Sequence, residues 1–297
     1  MTSALLLALI LLPVPRKAEC KRSDYLFPAV QLHPTVDRPF VFLHQRKCGG
    51  MSVRVAEYMS GLKLGLEAAS FVPCFNPMCK ITQPDLASIE ASAILACHCN
   101  WYTVIPRVKG FACLSSFRHP VSRAVSCLFY KFPRQVRPEM LANMSTTQFR
   151  ALLKNTLHDD NATCNNEALH MFSSSYKFSE LDHLVRNPAA ANMLIQEAVL
   201  NMQRCTVLVV SDSGSAARQS ELTSWNARIL QHWFPWIGDI GKLNVNSHPD
   251  IPTHLVPVIY ELNWPEMQVY NAALQRYKEQ QELLHEIDGI SVSEHLA

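Results

Sequence analysis

The sequence predicts an α/β fold in which helices flank a central parallel sheet. Four short runs of apolar, β-favouring residues lack polar alternation, which is typical of strands buried on both faces. After three of these runs a turn leads into a segment with helical spacing, as a parallel sheet requires. A hydrophobic content of 48% against 18% charged residues supplies enough apolar side chains for a sizeable core.

Polar groups stand at the carboxyl ends of the predicted strands. These strands are Phe40–Leu43, Ala93–Cys97, Gly110–Phe117 and Thr206–Val210. The first runs into a glycine-containing turn, the second ends at His98 and the third ends at Arg118. Because ligands of such sheets bind outside the carboxyl ends, we expect the functional site there.

Four helices are predicted from apolar spacing. They cover 51–59, a segment starting just after Arg118, a segment through Leu222 and Leu230, and about 264–286. Pro120 and Pro265 stand near two of the starts, where proline is tolerated because the first N–H groups lack an intrahelical acceptor. An aromatic cluster could stack on sugars, but aromatic residues at helical spacing are more often core: Trp225, Trp233, Phe234 and Trp236.

The amino terminus has the pattern of a targeting segment. Residues 1–20 contain an apolar run that is long enough for a signal peptide and short for a membrane span, so a signal peptide or a short signal-anchor is predicted. Residues 21–38 are interpreted as an extended lead-in, and 39–290 as a single domain. Glycosylation tripeptides at Asn143 and Asn161 favour a lumenal or secreted protein.

Charge and cysteine content narrow the function classes. The formal net charge is only +2, so the overall field does not favour nucleic acid, and any anion must be held by a local site. Ten cysteines favour an oxidising compartment with disulfides. Candidate pairs are Cys74 with Cys79 and Cys164 with Cys205, and pairing stays open. A zinc site at Cys97, His98 and Cys99, together with Cys74 and Cys79, is the less favoured interpretation because its spacing is unusual.

The turn from Lys47 to Ser52 is the first candidate anion site. Gly49 and Gly50 let the backbone approach a ligand closely, and the helix that follows presents free N–H groups. Lys47 adds a full positive charge. The alternative is that the glycine pair merely makes a tight connection. The pattern G-x-x-x-x-G-K-[ST] of nucleotide triphosphatases is absent, which disfavours kinase chemistry.

The segment from Arg118 to Ser126 is the second candidate anion site. Arg118 ends a strand, and Ser126 lies two helical turns later, so a guanidinium and a hydroxyl could meet an anion near the helix start. By itself such an arginine more often pairs with a carboxylate. Two anion-suited turns in one parallel sheet, however, are what a ligand with phosphates at both ends requires.

Both segments resemble motifs of the Golgi carbohydrate sulfotransferases. The stretch Phe42–Ser52 is similar to their 5′-phosphosulfate loop, P-K-T-G-G-T-S, with Cys48 and Met51 in place of two threonines. The stretch Arg118–Tyr130 is similar to their 3′-phosphate motif, R-D-P-V-E-R-F-L-S-x-Y, with His119 in place of aspartate. Within that family, the two motifs resemble those of the heparan sulfate 2-O- and 6-O-sulfotransferases in particular. This resemblance implies a P-loop-NTPase-like three-layer fold.

The resemblance also implies a reaction. The donor would be 3′-phosphoadenosine 5′-phosphosulfate (PAPS), and a hydroxyl of a glycan would accept the sulfuryl group without a metal. Lys47 and the helix N-terminus would stabilise the leaving phosphate, and His98 would act as general base, for which an unperturbed pKa near 6.5 is suitable. The residues implied to bind the donor are Lys47, Cys48, Gly49, Gly50, Met51, Ser52, Arg118 and Ser126.

The implied location is the Golgi lumen, with membrane anchoring through the N-terminal segment, or alternatively the secreted fraction. Two other functions remain open at this point. One is a protein-tyrosine sulfotransferase, and the other is a secreted protein of the same fold that binds nucleotide or glycan without turnover. The second alternative stays open because Cys48 and Met51 replace two threonines of the sulfotransferase motif.

Overall fold

A computed structural model describes residues 30–66, 71–72, 86–131, 136–155, 165–174, 187–210, 216–240 and 250–289. Its strands are β1 (Phe40–Leu43), β2 (Phe71–Val72), β3 (Ile94–Cys97), β4 (Ala112–Phe117) and β5 (Thr206–Val209). All pairings are parallel and the order is β2-β3-β1-β4-β5, with the two-residue β2 at one edge. The predicted α/β class with a parallel sheet is therefore confirmed, and all four predicted strands are present.

The helices are α1 (Gly50–Lys63), α2 (Leu86–Ala91), α3 (Trp101–Val104), α4 (Pro120–Lys131), α5 (Pro138–Ala142), α6 (Thr146–Asn155), α7 (Glu167–Phe172), α8 (Pro188–Met202), α9 (Ala216–Trp233), α10 (Val256–Leu262) and α11 (Trp264–Ile287). Short 3₁₀ turns, Ile105–Arg107 and Thr253–Leu255, precede β4 and α10. The four predicted helices correspond to α1, α4, α9 and α11. The others were not predicted from the sequence.

The core surrounds the central strand β1, every residue of which is fully buried. The ring of Phe40 packs edge-to-face against Phe234 at 5.0 Å and against Trp236 at 5.1 Å between centroids. Trp233 is also buried. These three aromatic residues therefore belong to the core, and a sugar-stacking role is left only for Trp225, which is partly buried beside His285.

A second apolar cluster holds α4 against the later helices. Ala124 and Leu128 of α4 are fully buried in it together with Phe149 of α6 and Ile259 of α10. Because α4 begins directly after β4, this packing sets the position of the Arg118–Ser126 segment relative to the sheet.

The disulfides differ from the pairing considered from sequence. Cys205 bonds to Cys113, not to Cys164, because β4 and β5 are neighbours whose register aligns Leu114 with Thr206. Cys97 bonds to Cys99, which removes both thiolates from the zinc alternative. Cys74, Cys79 and Cys164 lie outside the described residues.

A turn lies in the described part of the predicted lead-in. Thr35 and Arg38 exchange two backbone hydrogen bonds of 3.3 and 3.2 Å and close this turn. Gln31 then donates from its backbone N–H to the carbonyl of Trp233 at 3.0 Å. The predicted targeting segment, 1–20, and the Asn161 tripeptide lie outside the described residues. Among the residues that the structure describes, no helix is long and apolar enough to cross a membrane.

The strand order places the candidate residues at one edge of the sheet. β1 lies between β3 and β4, and all three strands run in the same direction. His98 follows β3, the Lys47 turn follows β1, and Arg118 follows β4. Three adjacent strands therefore deliver the three candidate groups to the same carboxyl edge, as expected for ligand sites in parallel sheets.

The Cys113–Cys205 disulfide should stabilise the fold because it closes a chain segment of 92 residues. We expect the double variant Cys113→Ala/Cys205→Ala to lose about 2–5 kcal/mol of unfolding free energy. Urea unfolding without reductant measures this loss. The matched control is Cys97→Ala/Cys99→Ala, whose disulfide spans two residues and should contribute much less chain entropy. Equal losses in the two double variants would contradict this account.

Candidate functional site

The turn between β1 and α1 is held in an unusual backbone conformation. Lys47 has φ 64° and Gly49 has φ 71°, so two residues of the turn occupy the left-handed region. That conformation is natural for glycine and uncommon for lysine. Gly49 precedes the first residue of α1, and no side chain caps the helix there. The turn therefore presents main-chain N–H groups in the kind of concave arrangement that binds anions.

Gly50 is required by the packing of His44. A Cβ atom at position 50 would lie 2.0 Å from the His44 ring, closer than real Cβ contacts allow. The His44 ring is buried and stacks on Phe42 with 5.3 Å between centroids. The glycine pair is thus more than a tight connection, since its second member accommodates a buried ring.

The two sequence motifs meet at Arg118. This side chain is 5% exposed, and its Nη1 donates to the carbonyl of Lys47 at 3.4 Å. The ammonium of Lys47 lies 4.2 Å from the centre of the exposed Tyr130 ring. Burial, followed by the nearby Arg118 guanidinium, lowers the pKa of Lys47. Two cationic side chains thus converge, and an anion bound beside them would relieve their repulsion.

The remaining donor-site candidates are placed unequally. Ser52 is half-buried in the first turn of α1, and Ser126 is buried on α4. The Cys48 side chain is fully buried, its Sγ lies 3.9 Å from Gln45 Oε1, and burial raises its thiol pKa. Met51 is 50% exposed. Cys48 and Met51 can therefore donate hydrogen bonds to an anion from their backbone N–H groups, while the Cys48 thiol lies in the interior.

His119 caps the start of α4. Its Nδ1 accepts a hydrogen bond of 3.3 Å from the backbone N–H of Val121, in the first turn of α4. A side-chain acceptor at this place satisfies one of the orphan donors of a helix start, as an aspartate would. The departure from the aspartate of the sulfotransferase motif thus leaves the start of α4 capped.

His98 is fixed in one tautomer. Its Nδ1 lies 2.5 Å from the carbonyl oxygen of His44, and because a carbonyl only accepts, Nδ1 carries the proton. Nε2 then holds the lone pair that a general base needs. The two imidazole rings are 4.3 Å apart.

The pKa of His98 differs from the value assumed from sequence. Burial, followed by the positive charge of Arg46, lowers it to about 4, although Glu167 and the His44 carbonyl act in the opposite direction. The pKa of His44 is also well below its usual value, because of burial and the neighbouring His98. Both rings are therefore neutral near pH 7, which is the form of His98 that accepts a proton.

A buried charge cluster underlies this site. Arg123 is fully buried on α4 and forms two bonds of 2.7 Å with the carboxylate of Glu266 from α11. Its Nη1 also donates to Glu167 Oε2 at 3.1 Å. Burial lowers the pKa of Arg123, but the two carboxylates outweigh that effect and raise it. Arg123 thus remains charged within the protein.

Glu167 joins this cluster to the turn after β1. Its Oε2 accepts the backbone N–H of Arg46, and its Oε1 accepts Arg46 Nη1, both at 3.1 Å. Sequence reasoning missed Glu167 and Glu266. The only signal was Arg123, which lies in the segment that resembles the 3′-phosphate motif and to which the sequence analysis gave no role. A buried arginine requires acidic partners.

Glu167 is positioned by asparagines around the start of α7. Asn166 has φ 51°, and its side chain donates to the carbonyl of Leu262 at 2.7 Å. The backbone N–H of Asn166 donates to Asn263 Oδ1 at 2.9 Å. These contacts fasten α7 to the junction of α10 and α11, so that Glu167 and Glu266 reach Arg123 from adjacent elements.

Comparisons with known proteins add no family to these observations. No family model matches the chain, and no curated protein is detectably similar to it. The resemblance to the carbohydrate sulfotransferases therefore depends on the two motifs. In the described part of the chain, no group of three or more histidine, cysteine, aspartate or glutamate side chains could hold a metal ion.

Breaking the buried cluster should cost far more than breaking an exposed ion pair. We expect Arg123→Met to lose about 3–5 kcal/mol of unfolding free energy, because the buried Glu266 loses its arginine and Glu167 keeps only Arg46. Arg150→Met is the matched control, since Arg150 and Glu261 pair at the surface with side chains 34% and 60% exposed. That change should cost at most about 1 kcal/mol. Similar losses in denaturant unfolding would show that the Arg123 cluster is not a stabilising constraint.

Proposed function

We propose that this protein is a sulfotransferase that moves a sulfuryl group from PAPS to a hydroxyl of a glycan. The observation that carries the proposal is the convergence of Lys47, Arg118 and His98 at the carboxyl ends of three adjacent parallel strands. A site with two cations, a turn rich in N–H donors and a neutral imidazole fits a bisphosphorylated donor and a proton-losing acceptor. The finer fold assignment, a P-loop-NTPase-like three-layer arrangement, belongs to the same proposal.

The donor would span the two motif segments. The 5′-phosphosulfate would lie in the turn, against Lys47 and the backbone N–H groups of Cys48–Met51, where the positive end of the α1 dipole also acts. The 3′-phosphate would lie by Arg118 and Ser126. Lys47 precedes the glycine pair in this turn, whereas in nucleotide triphosphatases the lysine follows the last glycine. This difference supports a sulfuryl donor over a nucleoside triphosphate.

The chemistry follows from these positions. The acceptor oxygen attacks sulfur in line with the bridging oxygen, the new S–O bond forms, and the bond between sulfur and the phosphate oxygen breaks. The leaving 3′-phosphoadenosine 5′-phosphate (PAP) keeps that electron pair. Lys47 and the turn N–H groups stabilise the charge that develops there, and a preorganised electrostatic site usually makes the largest contribution to such a transfer.

His98 is suited to take the acceptor proton. Its Nδ1–H is committed to the His44 carbonyl, so Nε2 accepts the proton of the attacking hydroxyl. The pKa of about 4 keeps the ring unprotonated in the free protein. Bound donor and an anionic acceptor would raise this pKa toward neutrality, because negative charge favours the imidazolium.

The proposed location is the Golgi lumen, or outside the cell if the N-terminal segment is cleaved. The support is the two buried disulfides Cys97–Cys99 and Cys113–Cys205, since such bonds persist in oxidising compartments. Asn143 of the first glycosylation tripeptide is exposed, at the end of α5. An acceptor that passes through the same lumen, a glycan or a secreted polypeptide, is consistent with this location.

Lys47 and Arg118 should affect different steps. We expect Lys47→Ala to lower kcat by about 100-fold or more, with a smaller change in PAP affinity, because the charge that Lys47 stabilises develops on the leaving phosphate during the transfer and the turn N–H groups still bind that phosphate in PAP. Arg118→Ala should weaken PAP binding by about 10- to 100-fold, since it removes a charge-assisted contact. Calorimetry with PAP and transfer of radiolabelled sulfate to glycans measure both. Lys109→Ala is the control, because its ammonium is 86% exposed and pairs with Asp37 at the surface.

The result of this experiment separates the three candidate functions. Transfer to glycans supports the proposal, and transfer to tyrosine peptides alone would replace it by a protein-tyrosine sulfotransferase. Tight PAP binding without transfer to either acceptor would indicate a nucleotide-binding protein without turnover. An exchange of the two variants' effects would mean that the ligand lies in the opposite orientation.

The pH dependence should report His98. Because the neutral ring is the active form, kcat/KM should stay level from pH 8 to 6 and fall as the pH approaches the free-protein pKa of about 4. His98→Gln should lower kcat by about 100-fold or more and remove this acidic limb. Initial rates across pH, with stability checked at each pH, measure the profile. An unchanged acidic limb in His98→Gln would assign the base role to another group.

A further inference from the structure

One carboxylate contacts both the donor turn and the buried cluster. Glu167 is 2% exposed, and its oxygens accept from the backbone and the side chain of Arg46 and from Arg123. The Arg46 N–H belongs to the turn that carries Lys47, directly before it in sequence. The position of the turn therefore depends on this carboxylate as well as on the sheet.

Glu167 also acts on the candidate base. His98 contacts His44 at the end of β1, and the charged groups that shift its pKa are Arg46 in the turn, Arg54 on α1 and Glu167 on α7. Arg54 stands beside the buried Glu57 on the same helix. The arginines oppose a positive charge on His98, whereas Glu167 favours it. Any proton that His98 receives is thus stabilised by the carboxylate that holds the turn.

We propose that Glu167 is a positioning residue that couples the donor turn to the base: its carboxylate holds the backbone of Arg46 and stabilises the imidazolium form of His98. This inference rests on the proposed function. In the transfer step the acceptor oxygen bonds to sulfur, its proton moves to His98 Nε2, and PAP leaves with the electrons of the broken S–O bond. Glu167 itself forms and breaks no covalent bond in this step.

Glu266 provides a matched comparison within the chain. It has the same carboxyl group, is similarly buried and bonds to the same Arg123. Burial raises the pKa of Glu266, and Arg123 acts in the opposite direction. The structure gives Glu266 no contact with Arg46, and it is not among the groups that shift the pKa of His98. Replacement of the Glu266 carboxyl by an amide should therefore reproduce the structural effects of the same change at Glu167 without the effect on the base.

The experiment uses the full chain with three substitutions: Glu167→Gln, Glu266→Gln and Arg46→Gln. The protonated fraction of His98 is read from its imidazole ¹⁵N shifts at pH 5, without ligand. We expect Glu167→Gln to lower that fraction by about tenfold, which corresponds to one pKa unit. Arg46→Gln should raise it about fivefold, from roughly one tenth to one half for the same one-unit shift, and Glu266→Gln should leave it at the wild-type value. Sulfate transfer should fall about tenfold in Glu167→Gln, with a higher KM for PAPS because the turn is loosened.

Each outcome decides the inference. Equal His98 protonation in Glu167→Gln and Glu266→Gln would overturn it, because the charge would then act only through folding. If Glu167→Gln does not fold, Arg46→Gln carries the test, since Arg46 is 28% exposed and its loss must shift His98 in the opposite direction. Absence of sulfate transfer in the wild-type chain would overturn the proposed function, whereas the ¹⁵N comparison reads the electrostatic link without any turnover.

Discussion

A buried guanidinium determines how this molecule is assembled. Arg123 has no exposed surface, and an arginine in the interior is tolerated only when carboxylates neutralise it with good geometry. Those carboxylates, Glu167 and Glu266, lie 44 and 143 positions further along the chain. The cluster is therefore complete only when α4, α7 and α11 are all in place. Glu167 also binds the backbone of Arg46, so the same assembly orders the turn after β1. The conformation of this turn is fixed during folding, and a ligand would lose no binding free energy in ordering it.

The architecture could be predicted because its signal is local. A strand buried on both faces must be apolar at every position, and β1 with its four fully buried residues is easy to recognise. Short elements such as α7 contain too few residues for a helical period. They depend on distant partners, as Asn166 depends on Asn263. Cysteine pairing is equally non-local, because Cys113 meets Cys205 only through the order and register of β4 and β5.

The residues of the candidate site also differ in whether their signal in the sequence is local. Lys47, Arg118 and His98 stand at strand ends, and topology alone brings strand ends of a parallel sheet together. Glu167 could not be found in this way, since nothing near it in sequence marks it as a partner of residues on α4 and on the turn. The pKa expected for His98 from an unperturbed imidazole also differs from the value in the folded chain. Burial is a property of the folded chain, and here it outweighs the hydrogen bond from His98 to the His44 carbonyl.

Burial of the proposed base would connect ligand binding to chemistry. Burial, followed by the positive charge of Arg46, disfavours protonation of His98, and a negative charge bound nearby would oppose that effect. The same reasoning applies to Lys47, because burial, followed by the nearby Arg118 guanidinium, lowers its pKa, and a negative group beside them would favour the ammonium. The proposed polyanionic donor would therefore favour the charged forms of both Lys47 and His98. Selection for such a donor would depend on the positions of four side chains, although the chain as a whole is nearly neutral.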